Sequence, residues 1–309
     1  MFTLLELLAT RTSDMQVQIA VPLCGYGQSG QAVDHKLPQG VPALEQPCFK
    51  VVAIVLNFYP FFNVEEFGVH SGSEKREVVR LWERAAEQGL AEAQGMLGRA
   101  YFTGQPVPQD YAEAARWYRL AAEQGDAPAQ SALGWQYNTG VGVPENAGEA
   151  ARWYRLAAER GHAEAQYNLG TMYDISRGVP QDSAEAVRWF RLAAEQGVAR
   201  AQYNLGVMYY FGDGVPQDYA EAARWYRLAA DQGYPSAQRN LGVMYADGQG
   251  VPQDFVQAHL WFNLAASGAT GEDRVSAVQG RDLAASQLTP ADLSEAQRLA
   301  REWDAAHLQ

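Results

Sequence analysis

The sequence predicts an all-α fold, a right-handed α-solenoid of tandem helix-turn-helix hairpins with a 36-residue period. Three observations predict it: five residue classes recur in one register, each period contains two helix-forming stretches, and a Gly-rich turn with a Val-Pro pair separates them. The recurring glycines are Gly89, Gly125, Gly161, Gly197 and Gly233, and also Gly98, Gly134, Gly170, Gly206 and Gly242. The recurring aromatics are Tyr101, Tyr137, Tyr173, Tyr209 and Tyr245, with Trp117, Trp153, Trp189, Trp225 and Trp261. The Val-Pro pairs begin at Val107, Val143, Val179, Val215 and Val251.

One period illustrates the two predicted helices. The first covers 201–210, where Ala201, Leu205 and Tyr209 form one apolar stripe at a spacing of four residues. The second covers 219–232 and is rich in Ala, Glu and Arg, which favour helices. Neither helix alone can bury its apolar face, so we expect each hairpin to be stable only when it is stacked on its neighbours.

Helix-start and helix-stop signals bound the second helix. Asp218 precedes Glu221 by three residues, the spacing of a capping box, and Gly233 suits the left-handed residue that ends a helix. The carboxylates at the equivalent positions, Glu113, Glu149, Glu185 and Glu221, are explained as capping residues rather than as the paired acids of a glycosidase.

Gly206 and Trp225 predict how the hairpins pack. A glycine in mid-helix costs about 1 kcal/mol relative to alanine, so its recurrence indicates a neighbouring helix that leaves no room for a side chain. The Trp-Tyr stripe is predicted to be core, and the alternative is a platform for a sugar or a cofactor. Ser176 and Pro106 each replace a turn glycine, so those two turns should differ from the others.

The full pattern resembles the Sel-one-like repeat, a bacterial type of tetratricopeptide-like helical repeat. The residues of one unit that carry the resemblance are Ala201, Leu205, Gly206, Tyr209, Gly212, Gly214, Val215, Pro216, Asp218, Ala222, Trp225, Tyr226, Ala229, Ala230 and Gly233. The resemblance implies a scaffold or adaptor that binds other proteins. The repeats contain no cysteine, so the disulfide-bridged branch of that family and its hydrolytic properties are not predicted.

The repeat divides the chain into three parts. Residues 1–72 are predicted to be an irregular, poorly ordered segment, or alternatively a small β-rich domain; 73–268 form the solenoid; and 269–309 form a C-terminal helical cap. The first part holds Cys24 and Cys48, whose bonding stays open, and a G-x-G-x-x-G match at 25–30 that lacks the following helix a dinucleotide site needs. No export signal is predicted, so the cytoplasm is the default compartment, and the periplasm is the alternative if translation starts elsewhere.

Composition argues against several function classes. The net charge of −12 disfavours nucleic-acid binding, and no apolar run reaches the length of a membrane-spanning helix. The five histidines show no metal-ligand spacing, and His162 lies at a variable position that we interpret as surface. We therefore predict no enzyme activity, no metal, no cofactor and no small-molecule substrate, and we expect the partners to be other proteins.

Function is then expected where the units differ. By analogy with tetratricopeptide stacks, the first helix of each hairpin should line a concave face, and its variable positions are the predicted partner-binding residues. These are Arg99, Trp135, Tyr167, Thr171, Tyr203, Val207, Tyr210 and Arg239. The middle tyrosines either form a binding patch or close gaps between repeats. Two other functions stay open: a hydrolase or cell-wall-active enzyme on the same stack, and a purely structural spacer.

Overall fold

The computed structural model describes residues 72–307, with side chains from residue 78 onward, and this range contains thirteen α-helices and no strand. In chain order the helices are α1 Gly72–Glu87, α2 Ala91–Thr103, α3 Tyr111–Glu123, α4 Ala127–Thr139, α5 Ala147–Glu159, α6 Ala163–Asp174, α7 Ser183–Glu195, α8 Ala199–Phe211, α9 Tyr219–Asp231, α10 Pro235–Asp247, α11 Phe255–Gly268, α12 Gly271–Ser286 and α13 Pro290–His307. Each helix from α1 to α12 packs on the next, α13 packs on α11, and α2 to α11 form five hairpins, so the predicted all-α solenoid is confirmed. The predictions for the cysteines and for 25–30 lie outside the described residues.

A glycine on the first helix and an aromatic ring on the second hold each hairpin together. A Cβ added at Gly206 would lie 2.6 Å from the ring of Tyr226, closer than real side chains approach. The other four hairpins repeat this contact, and the corresponding distances are 2.5 Å at Gly98, 2.9 Å at Gly134, 2.8 Å at Gly170 and 3.0 Å at Gly242. The close helix crossing predicted from the mid-helix glycines is therefore confirmed.

The tryptophans join one hairpin to the next. Trp225 on α9 is only 4 % exposed and packs in one cluster with Phe190 of α7 and Leu205 of α8. Trp117, Trp153 and Trp189 complete equivalent clusters, each built from a second helix, the following first helix and the tryptophan after it. The core therefore lies between hairpins as well as within them, which confirms that the Trp stripe is core.

A buried glutamine fixes the position of each first helix on the preceding hairpin. The amide nitrogen of Gln202 donates to the carbonyl of Ala194 at the end of α7 (3.1 Å), and its amide oxygen accepts from Gln232 after α9 (2.8 Å). The donor bond recurs at Gln94, Gln130, Gln166 and Gln238. Each amide thereby adds a second donor to a carbonyl at the helix end that already accepts the backbone N–H of the following glycine, as the Ala194 carbonyl accepts from Gly197 at 3.0 Å.

In each of the five hairpins an aspartate or an asparagine caps the second helix, as the spacing predicts. The carboxylate of Asp218 accepts from the backbone nitrogens of Ala220 and Glu221. Capping is not the whole explanation of the recurring glutamates, however, because the side chain of Glu221 binds Arg224 at 2.9 Å. The glutamate therefore contributes its backbone N–H to the cap and uses its carboxylate in an i,i+3 ion pair.

Ser176 and the C-terminal helices show how the ends and irregularities are accommodated. Ser176 takes φ of 57°, a value otherwise confined to glycine among the described residues, and α6 ends early at Asp174. This turn differs from the others, as predicted. At the end of the stack, Phe262 packs against Gly242 on one side and Gly280 of α12 on the other. Helix α13 begins with a capping pair, in which the Thr289 hydroxyl accepts from the Asp292 backbone N–H and donates to the Asp292 carboxylate.

Replacing Gly206 with alanine should destabilise the protein by about 1–2 kcal/mol. The gain in helix propensity is about 1 kcal/mol, but the new methyl group would clash with the Tyr226 ring and force about 1–3 kcal/mol of strain or more. Gly148→Ala is the matched control, because a Cβ there meets only the Asn146 side chain at 3.4 Å, so we expect no loss. Urea denaturation of both variants measures the difference; equal midpoints would disprove the crossing contact.

His162 should make stability depend on pH. Its Nδ1 accepts the Ala165 backbone N–H at 3.2 Å as the cap of α6, and burial lowers its pKa below the ordinary value. The unfolded chain therefore binds the proton more readily, and the stability that the cap contributes is lost as pH falls below about 6.5 towards the lower folded pKa. The melting temperature of His162→Asn should fall less than that of the wild type between about pH 7.5 and about pH 5. An identical fall in both proteins would show that His162 contributes nothing.

Candidate protein-binding surface

The eight predicted binding residues lie on first helices: Arg99 on α2, Trp135 on α4, Tyr167 and Thr171 on α6, Tyr203, Val207 and Tyr210 on α8, and Arg239 on α10. We define the first-helix surface as the solvent-facing side chains of these helices and of the turns that follow them. Arg99 and Trp135 are exposed, whereas the other six are half-buried. Most of the predicted residues therefore contact other parts of the fold as well as solvent.

Tyr167 and Tyr203 occupy equivalent positions on successive first helices and pack on aromatic neighbours. The Tyr167 ring lies 5.9 Å from Phe190, and the Arg200 guanidinium lies over its other side at 4.7 Å. The Tyr203 ring lies 5.2 Å from Tyr234, the residue that precedes α10. Burial and the nearby hydroxyls of Tyr167 and Tyr203 raise the pKa of Tyr234, which places all three rings at one junction.

Tyr203 and Tyr210 also lie close to Tyr226, the ring that packs against Gly206 in the α8–α9 hairpin. Tyr203 lies 5.8 Å from Tyr226, and burial together with both hydroxyls raises the pKa of Tyr226. The Tyr210 hydroxyl donates to Oε1 of Gln249 in the next turn, at 2.9 Å. These tyrosines close gaps between hairpins while part of each ring remains in contact with solvent.

Thr171, Val207 and Arg239 fill smaller roles in the structure. The Thr171 hydroxyl donates to the Tyr167 carbonyl at 3.1 Å, one helical turn earlier, and Val207 packs against the C-terminal core cluster. The Nε atom of Arg239 is buried with no hydrogen-bond partner among the described residues. Thr171 and Val207 therefore shape the surface more than they present reactive groups.

A first group of rings stands at the N-terminal end of the surface. The N-terminal aromatic cluster consists of Phe102, Tyr111 and Trp135, with centroids 5.3 Å apart for Phe102–Tyr111 and 5.4 Å apart for Phe102–Trp135, both edge to face. Tyr111 is 37 % exposed and Trp135 is 39 % exposed, so large parts of two rings face solvent. Such rigid, partly wet rings are typical anchors for a bound polypeptide.

A second group of rings lies on the α8–α9 hairpin, three hairpins after Phe102 and Tyr111. The C-terminal aromatic cluster consists of Tyr210, Phe211 and Tyr219, and Tyr210 lies 5.0 Å from Phe211 and 5.1 Å from Tyr219. Phe211 is 64 % exposed, the most of any aromatic residue in the part of the chain with described side chains. Both clusters combine the end of a first helix with the start of the following second helix.

The hairpins between the clusters carry polar side chains at the same positions. Asn138 and Asp174 are the equivalents of Phe102 and Tyr210. Burial and the charge of Asp213 raise the pKa of the Asp174 carboxyl, and no hydrogen bond or ion pair holds either carboxylate within residues 78–307. Along the chain the surface is therefore aromatic, then acidic, then aromatic again.

The sequence prediction missed three residues of these clusters, Tyr111, Phe211 and Tyr219, and it left Phe102 out of the binding residues although the equivalent Tyr210 was included. A signal was present, because the equivalents of Tyr111 in later units are Ala147, Ser183, Tyr219 and Phe255, and those of Phe211 are Thr103, Thr139, Ile175 and Asp247. Tyr111 and Tyr219 begin second helices, and Phe211 ends a first helix. They were not included because the expectation confined the surface to the first helices, predicted over 201–210 in one period.

The arginines of the second helices make specific contacts with aromatic side chains. Arg224 lies 4.1 Å over the Trp225 ring, and Arg116, Arg152 and Arg188 stack on their tryptophans in the same way. The second arginine of each of the first four hairpins donates to a tyrosine hydroxyl on the next hairpin, as Arg191 does to Tyr209 at 2.7 Å. These arginines therefore connect successive hairpins.

Two further features bear on chemistry. In the described part of the chain, no three His, Cys, Asp or Glu side chains lie close enough together to hold a metal ion. A search of the same residues finds no helix with the length and hydrophobicity needed to cross a membrane. His259 is 4 % exposed, and burial lowers its pKa, so it is a core histidine between α11 and α12.

Comparison with known proteins identifies the repeat. The sequence model described as Sel1 repeat matches residues 79–90, 91–126, 127–162, 163–198, 199–234 and 235–269. The chain is 34 % identical to a Sel1 repeat protein from Oxalobacter formigenes of known structure, with a TM-score of 0.59 over 65 % of this chain and 85 % of that one.

Two other solved structures resemble the chain more distantly. An antigen of uropathogenic Escherichia coli with the same type of repeat is 27 % identical, with a TM-score of 0.37 over 75 % of this chain and 72 % of its own. Immunity protein Pa5087 from Pseudomonas aeruginosa is 21 % identical, with a TM-score of 0.39 over 76 % of this chain and 84 % of its own. Comparison with curated proteins gives no match.

Replacing Tyr203 with alanine should lower the unfolding free energy by about 2 kcal/mol, because the change uncovers the buried ring of Tyr226 and removes the contact with Tyr234. Phe211→Ala is the matched control: its ring is 64 % exposed, so the loss should stay below about 1 kcal/mol. Chemical denaturation followed by circular dichroism measures both values. Equal losses would refute the gap-closing role of Tyr203.

Proposed function

Because the chain belongs to the Sel1 repeat family, we propose that it is a non-catalytic scaffold that holds a partner polypeptide on the first-helix surface. The observation that carries this proposal is the pair of exposed aromatic clusters at equivalent positions of different hairpins. The repeat positions that form the core are nearly identical in every unit, whereas the cluster positions vary from unit to unit. Such variation is what a surface needs to recognise one partner rather than to stabilise the stack.

The chemistry of the surface suggests the kind of partner. Trp135, Tyr111 and Phe211 offer rigid ring surface that loses little entropy on binding, so apolar side chains of the partner would dock there. Asp174 lies at the end of α6, one hairpin before the C-terminal aromatic cluster, and Asp213 lies in the turn that follows Phe211. A basic side chain would relieve their mutual repulsion. The proposed partner segment therefore carries apolar residues on both sides of a lysine or arginine.

The double variant Trp135→Ala/Phe211→Ala tests the proposal by removing one ring from each cluster. We expect it to lose at least one protein that co-purifies with the wild-type chain in the organism that encodes it, at nearly unchanged thermal stability. The affinity of the reconstituted pair should fall at least about tenfold, because hot-spot residues contribute 2 kcal/mol or more. Co-purification with mass spectrometry identifies the partner, and titration calorimetry measures the affinity.

The matched control is Leu192→Ala/Leu228→Ala, which removes from second helices two apolar side chains that are 37 % and 39 % exposed, close to the 39 % of Trp135. This control should retain the partner. A partner that both double variants lose equally, or that neither loses, would contradict binding at the first-helix surface. If the Trp135→Ala/Phe211→Ala variant retained every partner, that result would favour the structural-spacer function.

A further inference from the structure

Two hairpins of the stack lack a hydrogen bond that the other three make. In those three, a glutamine that follows the second helix donates to the buried glutamine of the first helix: Gln124 to Gln94 at 2.7 Å, Gln196 to Gln166 at 2.7 Å, and Gln232 to Gln202 at 2.8 Å. In the α4–α5 hairpin the donor position is Arg160, and in the α10–α11 hairpin it is Gly268, where Oε1 of Gln238 also has no partner among the described residues. Of these two positions, Arg160 alone carries a polar side chain.

The substitution leaves a buried polar atom without a partner. Gln130 is 2 % exposed, its amide nitrogen donates to the Ala122 carbonyl at 2.9 Å, and its Oε1 has no partner. Arg160 turns away from it and donates to the Leu156 carbonyl at 3.1 Å, with the guanidinium beside Gly125. A buried acceptor of this kind costs free energy unless a donor reaches it.

The same junction holds a cleft of about 410 Å³. Its lining includes Gln130, Arg160, Arg152, Trp153, Glu123 and Leu156. The Nε1 atom of Trp153 is also buried without a partner, and Arg152 lies 4.4 Å over the Trp153 ring. Arg160 makes no ion pair with any described residue. The cleft therefore combines one unmet acceptor, one unmet indole donor of a kind that Trp117, Trp225 and Trp261 share, and a guanidinium that makes one backbone hydrogen bond and no ion pair with the described residues.

The charges and polar atoms define the ligand. The lining holds two arginines and one glutamate, but Arg152 is already paired with Glu149 at 3.3 Å. The Arg160 guanidinium is therefore the cation available to a ligand, and it suits a single carboxylate better than a dianion. Arg160 and the Trp153 indole would donate to the carboxylate oxygens, and Gln130 Oε1 would accept from an N–H group. Leu156 and the Trp153 ring provide apolar surface beside them.

We propose that this cleft binds a carboxylate that has an amide N–H a few bonds away. A peptide C-terminus and an aspartate side chain within a peptide both present this combination. The site shares no residue with the first-helix surface, so it does not rest on the function proposed above.

The test uses the full chain and measures the indole N–H resonance of Trp153 by NMR, assigned with Trp153→Phe. The probes are N-acetyl-alanyl-alanine with a free carboxylate, its C-terminal amide, and N-acetyl-aspartate N-methylamide. We expect saturable shifts with at least one of the two acids and none with the alanyl-alanine amide. The stronger of the two acids identifies the source of the carboxylate.

Two variants separate binding from folding. Arg160→Gln should restore the bond to Gln130, raise the melting temperature and weaken binding of the probe at least about tenfold, since a charge-assisted hydrogen bond is lost and the cleft is filled. Arg160→Ala should weaken binding equally without the stabilisation. Gln at this position is compatible with the fold, because three other junctions contain it.

Several results would overturn the proposal. They are the absence of a saturable shift at the highest soluble probe concentration, equal binding by Arg160→Ala and the wild type, and an equal effect of inorganic phosphate. A melting temperature of Arg160→Gln no higher than that of the wild type would also overturn it, because Oε1 of Gln130 would then not be an unmet acceptor.

Discussion

The contact between a mid-helix glycine and an aromatic ring is the constraint on which the rest of the structure depends. At Gly206 the backbone of α8 touches the Tyr226 ring, and this closeness sets the distance between the two helices of a hairpin. The hairpin is then thin enough for Trp225 to reach into the cluster formed with α7 and α8. A larger residue at Gly206 would separate the helices and leave the tryptophan seam unfilled. Repetition of one short contact therefore produces a continuous core.

Polar contacts determine the register that the apolar contacts leave open. Aromatic packing tolerates small sliding motions, whereas a buried amide must meet a particular carbonyl. Gln202 satisfies this condition by binding the end of α7, and Arg191 binds the Tyr209 hydroxyl across the same junction. The register of the stack is thus fixed by polar groups that would lose their hydrogen-bond partners in any other register, which would make their burial costly.

The residues that the sequence could reveal are those whose environment repeats. Gly206 and Trp225 recur because every hairpin has the same crossing, so their periodicity alone predicted the helices, the turns and the core. The buried Gln202 was missed because a glutamine in a helix is most often exposed, and its partner lies 30 residues away. Tyr111 and Phe211 were missed because their positions end or begin helices, and only the three-dimensional arrangement joins them to Trp135 and Tyr210.

A repeat protein supplies its own internal comparison, and this gives departures from the pattern a physical meaning. Where Ser176 replaces glycine, the backbone still takes φ of 57°, so the chain accepts local strain to keep the turn. Where Arg160 replaces glutamine, the helices keep their positions, and the cost appears as an unmet acceptor at Gln130. The stack absorbs both changes because neighbouring hairpins already determine the backbone. Positions outside the glycine and tryptophan contacts can consequently vary in residue type. A surface made of such positions can gain partner-binding residues without destabilising the fold.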